Sequence, residues 1–189
     1  MTSTIELVPV SESLAMAETA ARYYTDDPMV GLVLGSRNGT IHRRLAIRNC
    51  IVTSDALQRI YSTPSREAFV HVAEAGSWRE NLHQFILRGT MKIPFVIDSG
   101  TIERLCGYRE ACESAVPDSG LAHVSAVYFE DGREEVAAEI LSSVCDHAGG
   151  CYSVAHTGRQ ASVLLDSGFV LHKEIEYGGV RCRLMLRAG

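Results

Sequence analysis

The sequence predicts an α/β (α+β) protein built on a mixed β-sheet with helices on both faces. Two observations lead to this prediction. In the C-terminal half, segments that alternate like strands and segments with helical spacing follow one another regularly. In the middle and at the end of the chain, strand-like segments come in pairs joined by short turns, as in β-hairpins. Alternating units place helices on the faces of a sheet, and the hairpins add antiparallel strands to it.

The first third of the chain is predicted to begin with a short strand and a helix. Residues 5–10 (IELVPV) alternate like a strand, and Ser11 is suited to cap the helix that follows. That helix is expected to end near Pro28, because a residue before proline avoids the helical region. Residues 31–39 are predicted to form a loop and residues 41–54 a second helix.

The other two thirds supply the remaining elements. The middle is predicted to hold strands at 56–61 and 67–74 and helices at 78–87 and 97–113, the last with a break near Gly107. The C-terminal part is predicted to hold strands at 121–129, 150–156, 169–177 and 180–187, helices at 133–147 and 159–166, and a two-residue hairpin turn at Gly178–Gly179.

Composition limits the classes of function. A chain of 189 residues, 46% hydrophobic and 22% charged, suits a single domain over residues 1–189. The net charge of −5 argues against nucleic-acid binding, and no apolar run is long enough for a membrane span. The N-terminus lacks the features of a secretory signal, so a cytoplasmic location is expected. Cys145, His147 and Cys151 match no standard zinc spacing, so no metal site is expected.

Several segments resemble a known family. VYFEDGREEVAAEIL (127–141) aligns without a gap to V-x-P-x-x-[QR]-G-x-G-x-[GA]-x-x-L-L, the pyrophosphate motif of the GNAT N-acyltransferases. ASVLLDSGF (161–169), TDDPMV (25–30) and the final LMLR are also similar to GNAT segments. The resemblance implies a mostly antiparallel central sheet and acyl transfer to a small-molecule amine from acetyl-CoA or another acyl thioester. It places coenzyme contacts at Val127, Phe129, Gly132, Arg133 and Ala137.

The same loop departs from the family pattern where the phosphates would bind. Arg133 and Glu135 replace the glycines that let backbone N–H groups approach a diphosphate at a helix N-terminus. Glu134 and Glu135 put carboxylates in the first helical turn, where the helix dipole already favours an anion. We therefore predict that the loop keeps its backbone shape and has lost much of its affinity for phosphate.

The resemblance also points to catalytic and substrate-binding residues. His123 lies on the strand that holds the general base in the family, and an ordinary imidazole pKa near 6.5 suits that role. Leu165 matches the tyrosine that often protonates the departing thiolate, so Tyr128 and Tyr152 are the candidate replacements. The candidate acceptor-binding residues lie after the first helix and around the third strand: Asp26, Asp27, His71, Glu74 and Trp78.

Three functions follow from these features. The first is N-acylation of a small amine by a thioester donor. The second is a different reaction on the same fold, either with an acyl group carried on the phosphopantetheine of an acyl carrier protein or with no acetyl transfer at all. The third is a non-catalytic module that binds a small ligand in the old cleft. Pairing of two copies through the C-terminal strands is a further expectation from the resemblance.

Overall fold

A computed structural model describes residues 4–35, 59–73, 75, 99–117 and 120–189. The strands are β1 (Glu6–Leu7), β2 (Arg59–Ser62), β3 (Ala68–Ala73), β4 (Ala122–Phe129), β5 (Gly150–Ala155), β6 (Val170–Tyr177) and β7 (Val180–Ala188). The helices are α1 (Ser13–Tyr23), α2 (Pro28–Leu34), α3 (Ser99–Glu113), α4 (Glu134–Ala148) and α5 (Gly158–Asp166), with 3-10 turns at Val10–Glu12 and Tyr24–Asp26.

The seven strands form one sheet in the order β1-β2-β3-β4-β5-β7-β6. All its neighbouring pairs are antiparallel except β4 and β5, which are parallel. The predicted mixed sheet is therefore confirmed, and its single parallel pair lies in the centre. A parallel pair needs a crossover, which α4 provides.

Helices cover both faces of the sheet. On one face, α4 buries Ala137, Ile140, Leu141 and Val144 against β3, β4 and β5; this spacing of three and four residues is that of an amphipathic helix. On the other face, α1 packs its alanines against Ile60, Phe69 and Tyr128, and α2 packs against β7. The alternation along β3 decides this arrangement, because successive side chains point to opposite faces.

The N-terminal segment differs from the prediction in three respects. The first strand is limited to Glu6–Leu7, Ser11 lies in a 3-10 turn and does not cap α1, and the predicted loop after Pro28 begins as a helix. The first helix ends before Pro28, as expected, but residues 31–34 continue as helix α2 instead of a loop. Asp27 caps this helix by accepting hydrogen bonds from the N–H groups of Met29 (2.9 Å) and Val30 (3.2 Å), and Pro28 takes the first helical position. Helix α3 likewise runs through Gly107 without a break.

The C-terminal half matches the prediction closely. The capping box of Thr157 and Gln160 begins α5, and the Gly178–Gly179 turn has positive φ at both residues, as a type I′ turn requires. In the described part of the chain, no helix has the length and apolar character to cross a bilayer.

Candidate active site

The parallel strands β4 and β5 separate in the middle of the sheet. The register of β4 with β5 runs from Ala122 to Val124, and the rest of β4 pairs with β3 alone. A break in the β3–β4 register lies beside this point. Main-chain polar groups of β4 beyond Val124 therefore face a gap on the β5 side and need other partners.

Tyr24 fills part of this gap. Its hydroxyl accepts a hydrogen bond from the N–H of Val127 (2.9 Å) and donates one to the carbonyl oxygen of the same residue (2.6 Å). Burial raises the pKa of Tyr24, so the hydroxyl keeps its proton at neutral pH. One phenol thus takes the place of the missing neighbouring strand at Val127.

Asp27 lies one turn further on and reaches the end of β5. Its buried carboxylate accepts from Nε2 of Gln160 (3.0 Å) and lies 3.2 Å from Nδ1 of His156, in addition to its capping bonds. Burial by itself would raise the pKa of Asp27, but the bonds and charge from His156 and the bond from Gln160 lower it below its usual value. Asp27 is therefore an ionised acceptor buried beside a histidine.

His156 is held on its other side by Tyr108 of α3. The Tyr108 hydroxyl lies 2.7 Å from Nε2 of His156, and burial raises the pKa of Tyr108 well above its usual value. Because the Asp27 carboxylate only accepts, Nδ1 of His156 donates to it, and in the tautomer with one proton, on Nδ1, Nε2 is the nitrogen that accepts from Tyr108. The chain Tyr108–His156–Asp27 therefore orients an imidazole with a basic nitrogen away from the carboxylate.

A small cavity of about 40 Å³ lies between the parted strands. Its lining comes from Tyr24, from β4, from the end of β5 and from α5: Tyr24, Ser125, Ala126, Val127, Ser153, Val154, His156, Gln160 and Leu164. The volume is enough for a few water molecules. The N–H of Val127 and the imidazole of His156 therefore line one enclosed space.

The predicted base, His123, lies deeper in the sheet. Its ring stacks on Tyr152 at 4.6 Å, and it is 9% exposed. Burial and the nearby charge of Arg109 lower the pKa of His123 to about 3, so this imidazole is a weaker proton acceptor than an ordinary one. Burial also raises the pKa of Tyr152. The structure brings these two predicted residues into contact, and their catalytic roles stay predictions.

The other predicted residues of the sheet lie away from the cavity. His71 is 2% exposed on β3, and burial lowers its pKa to about 4. Tyr128 points to the opposite face from Val127 and stacks on Phe69 at 4.9 Å. Asp26 is exposed beside Asp27. Glu74 and Trp78 lie outside the described residues.

The loop between β4 and α4 has the predicted strand–turn–helix shape. Gly132 adopts a positive φ of 77°, and the N–H of Arg133 bonds back to the carbonyl oxygen of Glu130. The Arg133 guanidinium is 3.0 Å from the carboxylate of Glu67 on the β2–β3 turn. Ala137 is fully buried in α4 and Phe129 packs in the same core.

Arg159 covers the outside of this loop. Its guanidinium pairs with Glu134 (2.7 Å) and Asp131 (2.8 Å) and lies over the ring of Phe129 at 4.6 Å. The hydrogen bond from Arg159, with further bonds from the backbone at Glu134 and Gly132, lowers the pKa of Glu134. The Glu134 carboxylate is thus held by a cation at the start of α4. The loop as it stands does not fit a bound diphosphate.

No group of three potential metal ligands occurs within the described ranges.

Comparison with solved structures identifies the fold. The crystal structure of an N-acetyltransferase from Staphylococcus aureus Mu50 superposes with a TM-score of 0.64 at 11% identity, covering 98% of this chain and 100% of that one. A structure of AAC(6′)-Ib in complex with paromomycin and acetyl-CoA gives a TM-score of 0.51 at 10% identity, covering 100% and 94%.

The protein has the GNAT fold. Another solved structure with a similar fold is the C-terminal condensation domain of Ebony in complex with β-alanyl-dopamine. It superposes with a TM-score of 0.62 at 10% identity, covering 99% of this chain and 100% of that one. No protein-family model and no curated protein sequence matches the chain. At these identities the likeness extends to the fold alone.

Sequence reasoning missed His156, Tyr108 and Tyr24 as site residues. His156 follows a buried strand and precedes the capping box of α5, so its position at a strand end was a usable indication. Tyr108 and Tyr24 lie in helical segments with no local feature that marks them.

Proposed function

We propose that the protein is an acyltransferase that moves an acyl group from a thioester to a small amine, with His156 as the general base. The observation that carries the proposal is the Tyr108–His156–Asp27 chain at the point where β4 and β5 separate. The related fold of N-acetyltransferases supports the reaction class.

The reaction replaces a C–S bond by a C–N bond and moves, in total, one proton from the amine to the departing thiolate. The amine nitrogen attacks the thioester carbonyl carbon, a C–N bond forms, and the C–S bond breaks. Nε2 of His156 takes the proton from the amine and returns it to the departing thiolate, while Asp27 stabilises the imidazolium that forms between these steps. The amine thereby replaces Tyr108 as the partner of Nε2.

The carbonyl oxygen needs a donor as negative charge develops on it. The N–H of Val127 is suited to this role, because it faces the same cavity as His156. The Tyr24 hydroxyl has to leave this N–H before a substrate carbonyl takes it.

The test is release of free thiol from acetyl thioesters in the presence of a panel of primary amines. We expect His156→Asn to lower kcat/KM by a factor of about 10²–10⁴, the usual contribution of a general base. His147→Asn, at the exposed end of α4, is the matched control and should keep the wild-type rate. Wild-type turnover by His156→Asn together with loss of turnover by His123→Ala would assign the base to His123 instead. Binding of thioesters without any turnover by the wild type would favour a non-catalytic module.

A second candidate is condensation of an aminoacyl group with an amine, in which an acyl carrier protein presents the donor. The observation that favours it is the similarity to a condensation domain that holds β-alanyl-dopamine, an amide of an amino acid with an amine. An acyl carrier protein as partner, a small-molecule acceptor, a homodimer and a cytoplasmic location stay predictions from the sequence.

A further inference from the structure

The anion-binding groups at the start of α4 already hold an anion of the chain itself. The Glu134 carboxylate lies in the first turn of α4, close to the backbone N–H groups of Gly132 and Glu134, which contribute to lowering its pKa. These N–H groups lie at the positive end of a 15-residue helix, where a diphosphate would otherwise bind. A ligand phosphate therefore has to displace Glu134 before it reaches them.

The two arginines of the loop are also engaged. Arg159 contacts Glu134 through two nitrogens (2.7 and 3.0 Å) and Asp131 through a third (2.8 Å). Arg133 pairs with Glu67 (3.0 Å) on the turn beyond β2. A diphosphate at this loop would share each cation with at least one carboxylate.

The charge around the loop is unfavourable for a second anion. Asp131, Glu134 and Glu135 carry three negative charges, and Arg133 and Arg159 carry two positive ones. A carboxylate and a phosphate about 5 Å apart repel each other enough to weaken binding by on the order of tenfold, even after partial screening by salt. The side chains at positions 133 and 135 also limit how closely a phosphate can approach the backbone, which glycines would leave open.

Given the acyl transfer proposed above, we propose that the donor is a thioester without the nucleotide diphosphate of acetyl-CoA. The shared chemistry is an acyl group on a pantetheine thiol. Its source is either a free pantetheine thioester or the prosthetic arm of an acyl carrier protein, whose single phosphodiester carries no adenosine. Such a donor needs no contact with this loop, because it carries no diphosphate that would have to displace Glu134.

Binding without an amine acceptor tests the donor class separately from the reaction. Calorimetry compares acetyl-CoA with S-acetylpantetheine on the wild-type chain. We expect acetyl-CoA to bind no more tightly than S-acetylpantetheine, and up to about tenfold more weakly, because its diphosphate meets the carboxylates of the loop. Acetyl-CoA binding tighter by tenfold or more would overturn the proposal.

A double variant tests whether the acidic residues of the loop are what weakens the binding of acetyl-CoA. Asp131→Asn with Glu134→Gln removes two negative charges and frees Arg159, so acetyl-CoA should bind about tenfold tighter, equal to ~1.4 kcal/mol. S-acetylpantetheine should bind the double variant as it binds the wild type. Glu139→Gln, on the exposed side of α4, is the matched control and should change neither affinity.

The other possible binding results also decide whether the proposed donor class is correct. If neither S-acetylpantetheine nor an acetylated acyl carrier protein binds the wild type, the proposal fails, even where the double variant binds acetyl-CoA. If the double variant leaves acetyl-CoA binding unchanged, the proposal also fails. A third arm with an acetylated acyl carrier protein separates the sources: tighter binding than S-acetylpantetheine indicates the carrier, and equal binding indicates the free thioester. Normal binding of S-acetylpantetheine with no transfer to any amine would sink the proposed function and leave the donor class intact.

Discussion

Replacement of His71 by glutamine is expected to flatten the acid dependence of stability. The side chain is 2% exposed on β3, and burial lowers its pKa to about 4. A histidine in an unfolded chain titrates near pH ~6.5. Because the folded state resists protonation of His71, the stability that the neutral ring contributes is complete above pH ~6.5 and is lost as the pH falls toward 4.

The size of the effect follows from the two pKa values. Each pH unit well inside this window lowers the free energy of unfolding by ~1.4 kcal/mol per proton, so His71 accounts for about 2 kcal/mol between about pH 6.5 and 4.5. That is a large part of the ~5–15 kcal/mol of a typical domain. His123 acts in the same direction, since burial and Arg109 lower its pKa to about 3. Asp27, whose pKa is lowered, loses its contribution only below this window.

The assay is urea unfolding followed by circular dichroism at several pH values across the window. His71→Gln should lose about 2 kcal/mol less than the wild type over the same two pH units. His172→Gln, at an exposed position of β6, is the control, because its side chain is not buried. Curves of unfolding free energy against pH that run parallel for the wild type and His71→Gln would refute the reasoning.

Three further changes test the site. Asp27→Asn keeps the helix cap but turns an amide N–H toward Nδ1–H of His156, so the free energy of unfolding should fall by ~3 kcal/mol in urea titrations and turnover should fall at least ~tenfold. Tyr24→Phe frees the N–H of Val127, so S-acetylpantetheine should bind up to about tenfold tighter in calorimetry. Thr157→Ala removes the capping box of α5, and urea titration should show a loss of ~1 kcal/mol.

Controls distinguish these effects from general damage. Asp166→Asn makes the same change as Asp27→Asn at the exposed end of α5 and should alter neither stability nor turnover. A loss below ~1 kcal/mol for Asp27→Asn would contradict a buried charged partner for His156. If Thr157→Ala unfolds at the same urea concentration as the wild type, the capping box contributes nothing.

For Tyr24, the matched control is Tyr177→Phe. It removes a comparable bond, from a tyrosine hydroxyl to the carbonyl oxygen of Arg104 (2.9 Å) on α3. Thioester binding should be unchanged in this variant. Equal affinity of Tyr24→Phe and the wild type would mean that the Tyr24 hydroxyl does not compete for the N–H of Val127.

Local patterns were sufficient for most of the secondary structure. Helix α4, helix α5 and the Gly178–Gly179 turn each depend on neighbours within a few residues, and all three appear where they were predicted, although the capping box that begins α5 was not predicted. Helix α2 was missed because a glycine at position 31 favours a loop, while the Asp27–Pro28 start that outweighs it was interpreted as the end of α1.

The candidate site was harder to predict from the sequence, because its contacts join distant parts of the chain. Asp27 and His156 are 129 positions apart, and Tyr24 and Val127 are 103 apart. Asp27 was selected from a family resemblance as an acceptor contact, and its position beside an imidazole depends on how α2 packs against the end of β5. His123 was selected as the base from its strand position, and the burial that lowers its pKa is a property of the folded sheet.

The sequence by itself determined the order of helices and strands from β4 to β7 and the acidic character of the loop after β4, because these depend on local periodicity, turn residues and side-chain charge. Only the tertiary structure decided which groups meet where β4 and β5 separate: a phenol on the main chain of Val127, and a carboxylate and a phenol on either side of His156. The physical reason is that hydrogen bonds and desolvation act over a few ångströms in space, and no spacing along the chain encodes which distant residues come within that range.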